Sequence, residues 1–148
     1  IIKLSKKRNR GFSLIELLVV VAIIGALAAV GTVAYNGYVS GARTSAAQSA
    51  MQQIALMQTE YYSVTGGYYG AATCSPSEAQ TEEINEALFD VDTTTDESVI
   101  DVEQYEFCVQ HVIEDSVKVG FLIKACMLKD DSCSGKVLTL DAKGANNF

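Results

Sequence analysis

The residue with the clearest chemical consequence is Glu16, an acid at the start of a long apolar segment. Residues 17–35 carry no charge and have Thr32 as their one polar interruption, so a helix over them would cross the roughly 30 Å hydrocarbon core of a bilayer. An ionised acid at bilayer depth costs about 2.5 to 3.5 kcal/mol, and such a residue generally has a partner and marks a functional site. The nearest cations are Arg8 and Arg10, on the aqueous side of the segment.

A cut in the backbone between Gly11 and Phe12 would create a better partner for this acid. The new α-amino group of Phe12 would be a cation at the same depth as Glu16. A neighbouring copy of the chain could then supply the counter-charge. The chemistry that this spacing indicates is charge pairing between copies.

The surrounding string RGFSLIELLVVVAIIG, residues 10–25, resembles the N-terminus of a type IV pilin of the major kind or of a related pseudopilin. In that family a prepilin peptidase cuts after the glycine of a basic leader and methylates the new terminal phenylalanine, and the glutamate directs subunit registration in a helical filament. The resemblance implies cleavage between Gly11 and Phe12, N-methylation of Phe12 and registration by Glu16. If the leader were retained, the amine that should pair with Glu16 would not exist.

A secretory signal or a simple membrane anchor is the alternative interpretation of this N-terminus. The apolar run is too long for a signal peptide, and Glu16 interrupts its start with no small-x-small cleavage site just after it. We therefore expect insertion in the inner membrane as a precursor, and then export to a filament on a bacterial surface.

The net charge of −7 is unevenly distributed along the chain. Five basic residues precede the apolar segment, which leaves six basic against 18 acidic residues, a net charge of −12, for the remainder. The positive-inside rule keeps the basic end cytoplasmic, so the acidic part faces outward. Such a surface repels nucleic acid on average, and we predict no direct nucleic-acid partner. The five basic residues are Lys3, Lys6, Lys7, Arg8 and Arg10.

Four cysteines follow the apolar segment, an even number in a compartment where disulfides form. Three pairings are open. Strand alternation places Tyr105, Phe107 and Val109 on one face, which leaves Cys108 on the other, available to Cys74 in a preceding loop. The remaining two, Cys126 and Cys133, flank the turn KDDS, and we favour these two pairs.

The sequence predicts no metal or cofactor site. It contains no C-x-x-C pair, and we interpret its single histidine, His111, as a surface residue at a strand end. Asp90, Asp92 and Asp96 are closely spaced oxygen ligands of the kind that calcium takes. The segment lacks the glycine and terminal glutamate of an EF-hand, so a solvated loop is favoured. Sugars attached to the hydroxyls of Thr93 to Thr95 are a further alternative for this loop. The sequence contains no N-x-S/T sequon.

Helical periodicity continues beyond the apolar segment, so one helix is predicted over residues 12–62. Its second half carries an apolar stripe with spacings of three and four that a sheet would cover. Four glycines interrupt the helix and serve either close helix packing or local melting near Gly31 and Val33, where many relatives have proline. The stripe is Ala47, Ala50, Met51, Ile54, Met57 and Tyr61, and the glycines are Gly25, Gly31, Gly37 and Gly41.

Glycines and the one proline end this helix after residue 65. Ser77 and Gln80 have the spacing of a capping box, which predicts a short helix over 78–88. Three antiparallel strands are predicted over 104–111, 116–128 and 136–141, with Val117, Val119 and the odd positions after them facing a core.

These elements predict an α+β fold, a long N-terminal spine helix packed on a small three-stranded antiparallel sheet, as in the type IV pilin ladle. The predicted organisation is a leader over 1–11, a transmembrane and filament-core segment over 12–35, an amphipathic half-helix over 36–63, a variable loop region over 64–103, and a sheet with a tail over 104–148.

No phosphate loop, GxSxG or free cysteine beside a histidine points to catalysis. We expect a structural subunit that forms a homo-oligomeric filament with the help of a prepilin peptidase and the pilus assembly machinery. A type II secretion pseudopilin, a minor pilin, an electron-conducting fibre and a membrane-anchored enzyme are the alternatives. The aromatics that suggest conduction are more simply packing and interfacial residues; they are Phe12, Tyr35, Tyr38, Tyr61, Tyr62, Tyr68 and Tyr69.

Overall fold

The computed structural model describes residues 11–91, 98–129 and 132–148. It contains helix α1 (Leu14–Thr65), helix α2 (Glu78–Phe89) and strands β1 (Tyr105–Glu114), β2 (Val117–Lys129) and β3 (Ser132–Asp141). The strands form one antiparallel sheet in the order β1-β2-β3. The α+β prediction is confirmed, with α1 ending three residues later and β3 starting four residues earlier than expected.

The chain forms two compact units, Ile1–Ser40 and Gly41–Phe148. Within the first unit, residues 11–38 are all exposed. Its part of α1 is long and apolar enough to cross a bilayer, with a mean hydropathy of 2.7. An exposed apolar surface of this extent marks a membrane or protein interaction site rather than a free surface.

The second unit has one core, to which α1, α2 and the sheet all contribute. The predicted stripe of α1 is confirmed: Ala47, Ala50, Met51 and Ile54 are buried, and Met57 and Tyr61 pack at its margin. The sheet contributes alternate positions, as expected for a sheet with one covered face. These core residues are Phe107, Val109, Phe121, Ile123, Ala125, Leu138 and Leu140.

The prediction that Val117 and Val119 face this core is wrong, because they are 60% and 45% exposed. The register changes between Val112 and Ile113, so that Gly120 and Lys118 have partners on β1 while Val119 is the extra residue of a β-bulge. A bulge interrupts the alternation of side chains, and the hairpin end therefore leaves the core face.

Side-chain amides fix two loops to the helices. Gln58, fully buried on α1, accepts a hydrogen bond from the Tyr69 N–H (2.9 Å) and donates one to the Tyr69 carbonyl (3.0 Å). Asn85 on α2 accepts from the N–H of Ile100 (2.8 Å) and donates to its carbonyl (3.0 Å). Each amide satisfies both polar groups of a backbone unit that would otherwise be costly to bury.

The outer edge of β1 is covered by the loop that follows α1. Ala71 accepts a hydrogen bond from the His111 N–H (2.8 Å) and donates to the Val109 carbonyl (3.0 Å). The preceding Gly70 has φ +146°, and a Cβ there would lie 2.9 Å from the Val109 carbonyl oxygen. Only glycine permits this close approach.

His111 is not the surface residue that we expected. Its ring is partly buried, and Nε2 lies 3.1 Å from the Tyr68 carbonyl oxygen. The loop over β1 places this carbonyl beside the strand. The sequence does not predict this contact because the loop has no regular structure of its own.

Helix α2 begins at the predicted cap but with half of the capping box. Ser77 Oγ accepts a hydrogen bond from the Gln80 N–H at 3.4 Å, while the Gln80 side chain donates to Glu83 instead of returning to Ser77. Asp90 ends the helix in a left-handed conformation, φ 52°, and its N–H bonds to the Asn85 carbonyl. Asp92, Asp96 and Thr93 to Thr95 lie outside the described residues.

Both favoured disulfides are present. Cys74 is bonded to Cys108 with a Cα–Cα distance of 5.9 Å, and Cys126 to Cys133 with 5.5 Å. The first joins the loop after α1 to the sheet over a separation of 34 residues. The second joins β2 to β3 over a separation of seven.

We expect removal of the first disulfide to destabilise the protein more than removal of the second, because the longer loop constrains the unfolded chain more. Chain-entropy arithmetic for separations of 34 and seven residues gives losses of about 3.8 and about 2.4 kcal/mol. Thermal unfolding of the two double Cys→Ala variants, followed by near-ultraviolet circular dichroism of the tyrosines, compares them. Equal losses, or a larger loss from the Cys126 and Cys133 pair, would contradict this prediction.

Candidate functional site

The start of α1 carries the residues that sequence analysis singled out. Gly11 and Phe12 precede the helix and are exposed, and Ser13 is the last residue before Leu14 opens it. The Leu17 N–H donates to the Ser13 carbonyl at 3.2 Å, the first hydrogen bond of the helix. Glu16 is therefore the third residue of the helix and lies in its first turn.

Ser13 and Glu16 form a complete capping box. The Glu16 N–H donates to Ser13 Oγ at 3.3 Å. In return, Glu16 Oε2 accepts from the Ser13 N–H and from the Ser13 hydroxyl, both at 2.8 Å. Two of the N–H groups that every helix start leaves without intrahelical partners are satisfied in this way.

The position in the first turn also suits the charge of Glu16. A helix N-terminus carries a partial positive charge, which stabilises a carboxylate placed there. Both bonds from Ser13 fall on Oε2. Within the described residues, Oε1 makes no hydrogen bond, so it is free to accept one from a group outside this chain.

The contact of Ser13 with Glu16 differs from the cationic partner that the sequence predicts. Within the described chain, the Glu16 carboxylate bonds to the hydroxyl and the N–H of the residue three positions earlier. The spacing S-x-x-E before an apolar run was the signal, the same one that identified Ser77. The cap fixes the carboxylate at the helix start. It supplies no full positive charge to balance the negative charge of Glu16.

The glycines of the first unit have no packing role inside the chain. A Cβ added at Gly25, Gly31 or Gly37 would meet nothing within 4 Å. The helix runs unbroken through Gly31 and Thr32, and Thr32 bonds back to the Ala29 carbonyl at 3.1 Å. Any use of their small size therefore lies in contacts with other molecules.

A second concentration of charge lies between α2 and residues 98–106, around a cavity of about 240 Å³. Five carboxylates line it, and the described residues contain no group of three or more side chains that could hold a metal ion. Glu106 is half-buried there and accepts a hydrogen bond from the Thr81 hydroxyl. The five are Glu78, Glu82, Asp101, Glu103 and Glu106.

Burial raises the pKa of Glu106 above its ordinary value, the Thr81 hydrogen bond lowers it in part, and the neighbouring carboxylates raise it further. The Arg43 guanidinium, the one basic group bonded in this region of the described chain, pairs with Glu103 at 2.7 Å. This arrangement places repulsion, rather than a catalytic pair, beside α2.

A match to a known family lies at the end of the chain that contains Glu16. Residues 6–32 match the prokaryotic N-terminal methylation motif. The chain is 42% identical over 65 residues to a fimbrial protein of Neisseria meningitidis serogroup B (strain ATCC BAA-335 / MC58), covering 44% of this chain and 38% of that one. It is 43% identical over 61 residues to the fimbrial protein EcpC of Eikenella corrodens, covering 41% and 40%.

The methylation motif and the fimbrial relatives support a resemblance of this chain to the type IV pilins. It spans about two fifths of the length of these curated fimbrial relatives. No solved structure matches it significantly. The pilin resemblance therefore rests on the methylation motif, the fimbrial relatives and the α+β fold together.

Loss of the Ser13 cap should loosen the start of helix α1. For Ser13→Ala we expect a destabilisation of the first turn by about 1 kcal/mol, because the Glu16 N–H and its carboxylate both lose a partner. Amide hydrogen exchange of the full chain in detergent micelles should be faster at Glu16 and Leu17. Ser13→Thr, which keeps the hydroxyl, is the control, and unchanged exchange in Ser13→Ala would show that the cap is not formed.

Glu106 predicts a pH dependence of stability. Because its folded pKa is raised above the ordinary 4.5, the stability that its proton contributes is fully present below pH 4.5 and is lost as the pH rises through the folded pKa. Glu106→Gln removes this loss, so its melting temperature relative to the wild type should be higher at pH 7 than at pH 4. Glu60→Gln, at an exposed position of α1, is the control; an equal difference at both pH values for Glu106→Gln would contradict the prediction.

Proposed function

We propose that the chain is the structural subunit of a type IV pilus, a surface filament that grows by packing of the apolar halves of α1. The observation that carries the proposal is the exposure of residues 11–38, because the part of α1 that they include is apolar, with a mean hydropathy of 2.7 over 18 residues of the helix. Such a surface requires lipid before assembly and other subunits afterwards. The pilin-type N-terminus and the fimbrial relatives support the same function.

Processing at the leader supplies the charge that assembly needs. In this proposal the prepilin peptidase cuts between Gly11 and Phe12 and methylates Phe12. Both residues are exposed and precede the helix, so the bond lies in non-helical backbone that a peptidase can reach. The new amine then becomes the cation that pairs with Glu16 of a neighbouring subunit.

Glu16 sets the register of the subunits. A buried carboxylate is tolerated when it is paired, so a subunit docked out of register leaves one acid and one amine uncompensated. Oε1 is the oxygen available for this contact, because the capping box occupies Oε2. Contacts of this heterologous kind, repeated without closure, give an open helical fibre.

The fimbrial relatives favour a pilus over a type II secretion pseudopilin. The aromatic contacts favour packing over conduction. The Tyr68 ring contacts the Tyr62 ring at a centroid distance of 4.7 Å and the edge-on Phe121 ring at 5.3 Å. These contacts attach the loop after α1 to the sheet. They lie within the second unit, whereas Phe12, Tyr35 and Tyr38 of the first are exposed.

Neutralising Glu16 should stop filament growth without stopping membrane insertion. Glu16→Gln keeps an acceptor for the Ser13 N–H and so keeps the cap, but it leaves the neighbouring amine buried without a counter-charge, at about 3 to 5 kcal/mol. We expect the yield of sheared filaments to fall at least roughly tenfold, while the amount of subunit in the membrane fraction stays the same. Glu60→Gln is the matched control.

N-terminal mass analysis of the same samples separates failed processing from failed assembly. We expect the wild type and Glu16→Gln to begin at a methylated Phe12. A normal filament yield from Glu16→Gln would refute the registration role.

A further inference from the structure

The outer edge of β3 is occupied by the residues that follow it. Thr139 points its backbone groups away from β2, its N–H donating to Asn147 Oδ1 at 2.8 Å and its carbonyl accepting from the Asn147 N–H at 3.3 Å. Asn147 Nδ2 donates to the Val137 carbonyl at 3.0 Å. The side-chain amide and the backbone N–H of Asn147 therefore make the hydrogen bonds that a neighbouring strand would otherwise make.

Two further contacts complete this arrangement. The Asp141 N–H donates to the Ala145 carbonyl at 3.0 Å, and the Lys136 ammonium donates to the Asn147 carbonyl. The outward backbone groups of Val137, Thr139 and Asp141 that have partners in the described chain therefore bond to residues 144–147. We call residues 145–148 the edge guard.

A built turn brings the edge guard back onto the strand. Asp141 Oδ1 accepts hydrogen bonds from the N–H groups of Lys143 (2.9 Å) and Ala145 (2.8 Å). Gly144 has φ +82° and donates to the Asp141 carbonyl at 3.0 Å. A side chain that bonds to the backbone two and four residues on directs a reversal of the chain.

The guard is held by hydrogen bonds and little else. Residues 142–148 are all exposed. Segments with few buried contacts open at low free energy. The opposite edge of the sheet is different, because the loop over β1 is fixed by the buried Gln58 and by the disulfide of Cys74 with Cys108.

We propose that the edge guard keeps β3 from pairing with β3 of a second copy of this chain. An uncovered edge strand presents a row of free N–H and carbonyl groups and is a template for another strand. Two copies of β3 would pair antiparallel about a two-fold axis. Such an isologous contact closes a dimer, whereas fibre growth needs heterologous contacts that stay open. The proposal concerns the second unit alone and stands or falls independently of the pilus function.

The test uses the oxidised full chain in detergent micelles. In Asn147→Leu we expect roughly tenfold faster amide exchange at Thr139 and a new dimer in size-exclusion chromatography with light scattering. Asn146→Leu introduces the same side chain one residue earlier. The Asn146 side chain makes no hydrogen bond within the described residues, so this control should behave as the wild type.

A second variant shows whether the dimer uses this edge. Thr139→Pro in the Asn147→Leu chain removes the outward N–H of β3, a position where proline is compatible with an edge strand. It should return the variant to the wild-type oligomeric state. The proposal is overturned if Asn147→Leu exchanges at the wild-type rate, if it exchanges faster but forms no dimer, or if its dimer persists when Thr139→Pro is added.

Discussion

The proposed assembly depends on one acid, Glu16, at the start of the exposed apolar part of α1. Apolar side chains alone would pack in many registers, because their attraction does not depend on direction. A carboxylate among them is tolerated at a helix start that caps it and in a position where a cation meets it. Ser13 supplies the first condition within the chain. The amine of a processed Phe12 would supply the second from a neighbour.

The second unit depends on other interactions, which keep a small sheet folded on α1. Its core is formed by side chains of α1, α2, Ile100 and the three strands. Two disulfides limit the freedom of the unfolded chain. In addition, Gln58, Asn85 and Asn147 each use a side-chain amide as a substitute for a backbone partner. Irregular segments are attached in this way without needing secondary structure of their own.

Features with a local or periodic signature were predictable from the sequence. The stripe of α1, the alternation in β1 and the start of α2 at Ser77 all follow from spacing, and the disulfide pairs follow from which face Cys108 occupies. The motif around Glu16 was recognisable because its residues are contiguous. The Ser13 cap also has a local signature, the spacing S-x-x-E before an apolar run. The prediction from sequence took a charged group as the partner of Glu16 and so did not include it.

Features that depend on tertiary contact were not predictable. The bulge at Val119 arises from the pairing of β1 with β2, and no residue in either strand signals it. The contact of His111 with the Tyr68 carbonyl and the return of Asn147 onto β3 join residues that lie far apart or in irregular backbone. For such contacts, residue type indicates that a polar group needs a partner but not which partner it finds.

The most direct test of the central claim is an atomic reconstruction of a filament assembled from this chain. We expect the Glu16 carboxylate within about 4 Å of the α-amino group of Phe12 in a neighbouring subunit, the separation that defines an ion pair. A Glu16 side chain that faces solvent, or that has no positive group near it in the filament, would contradict the account.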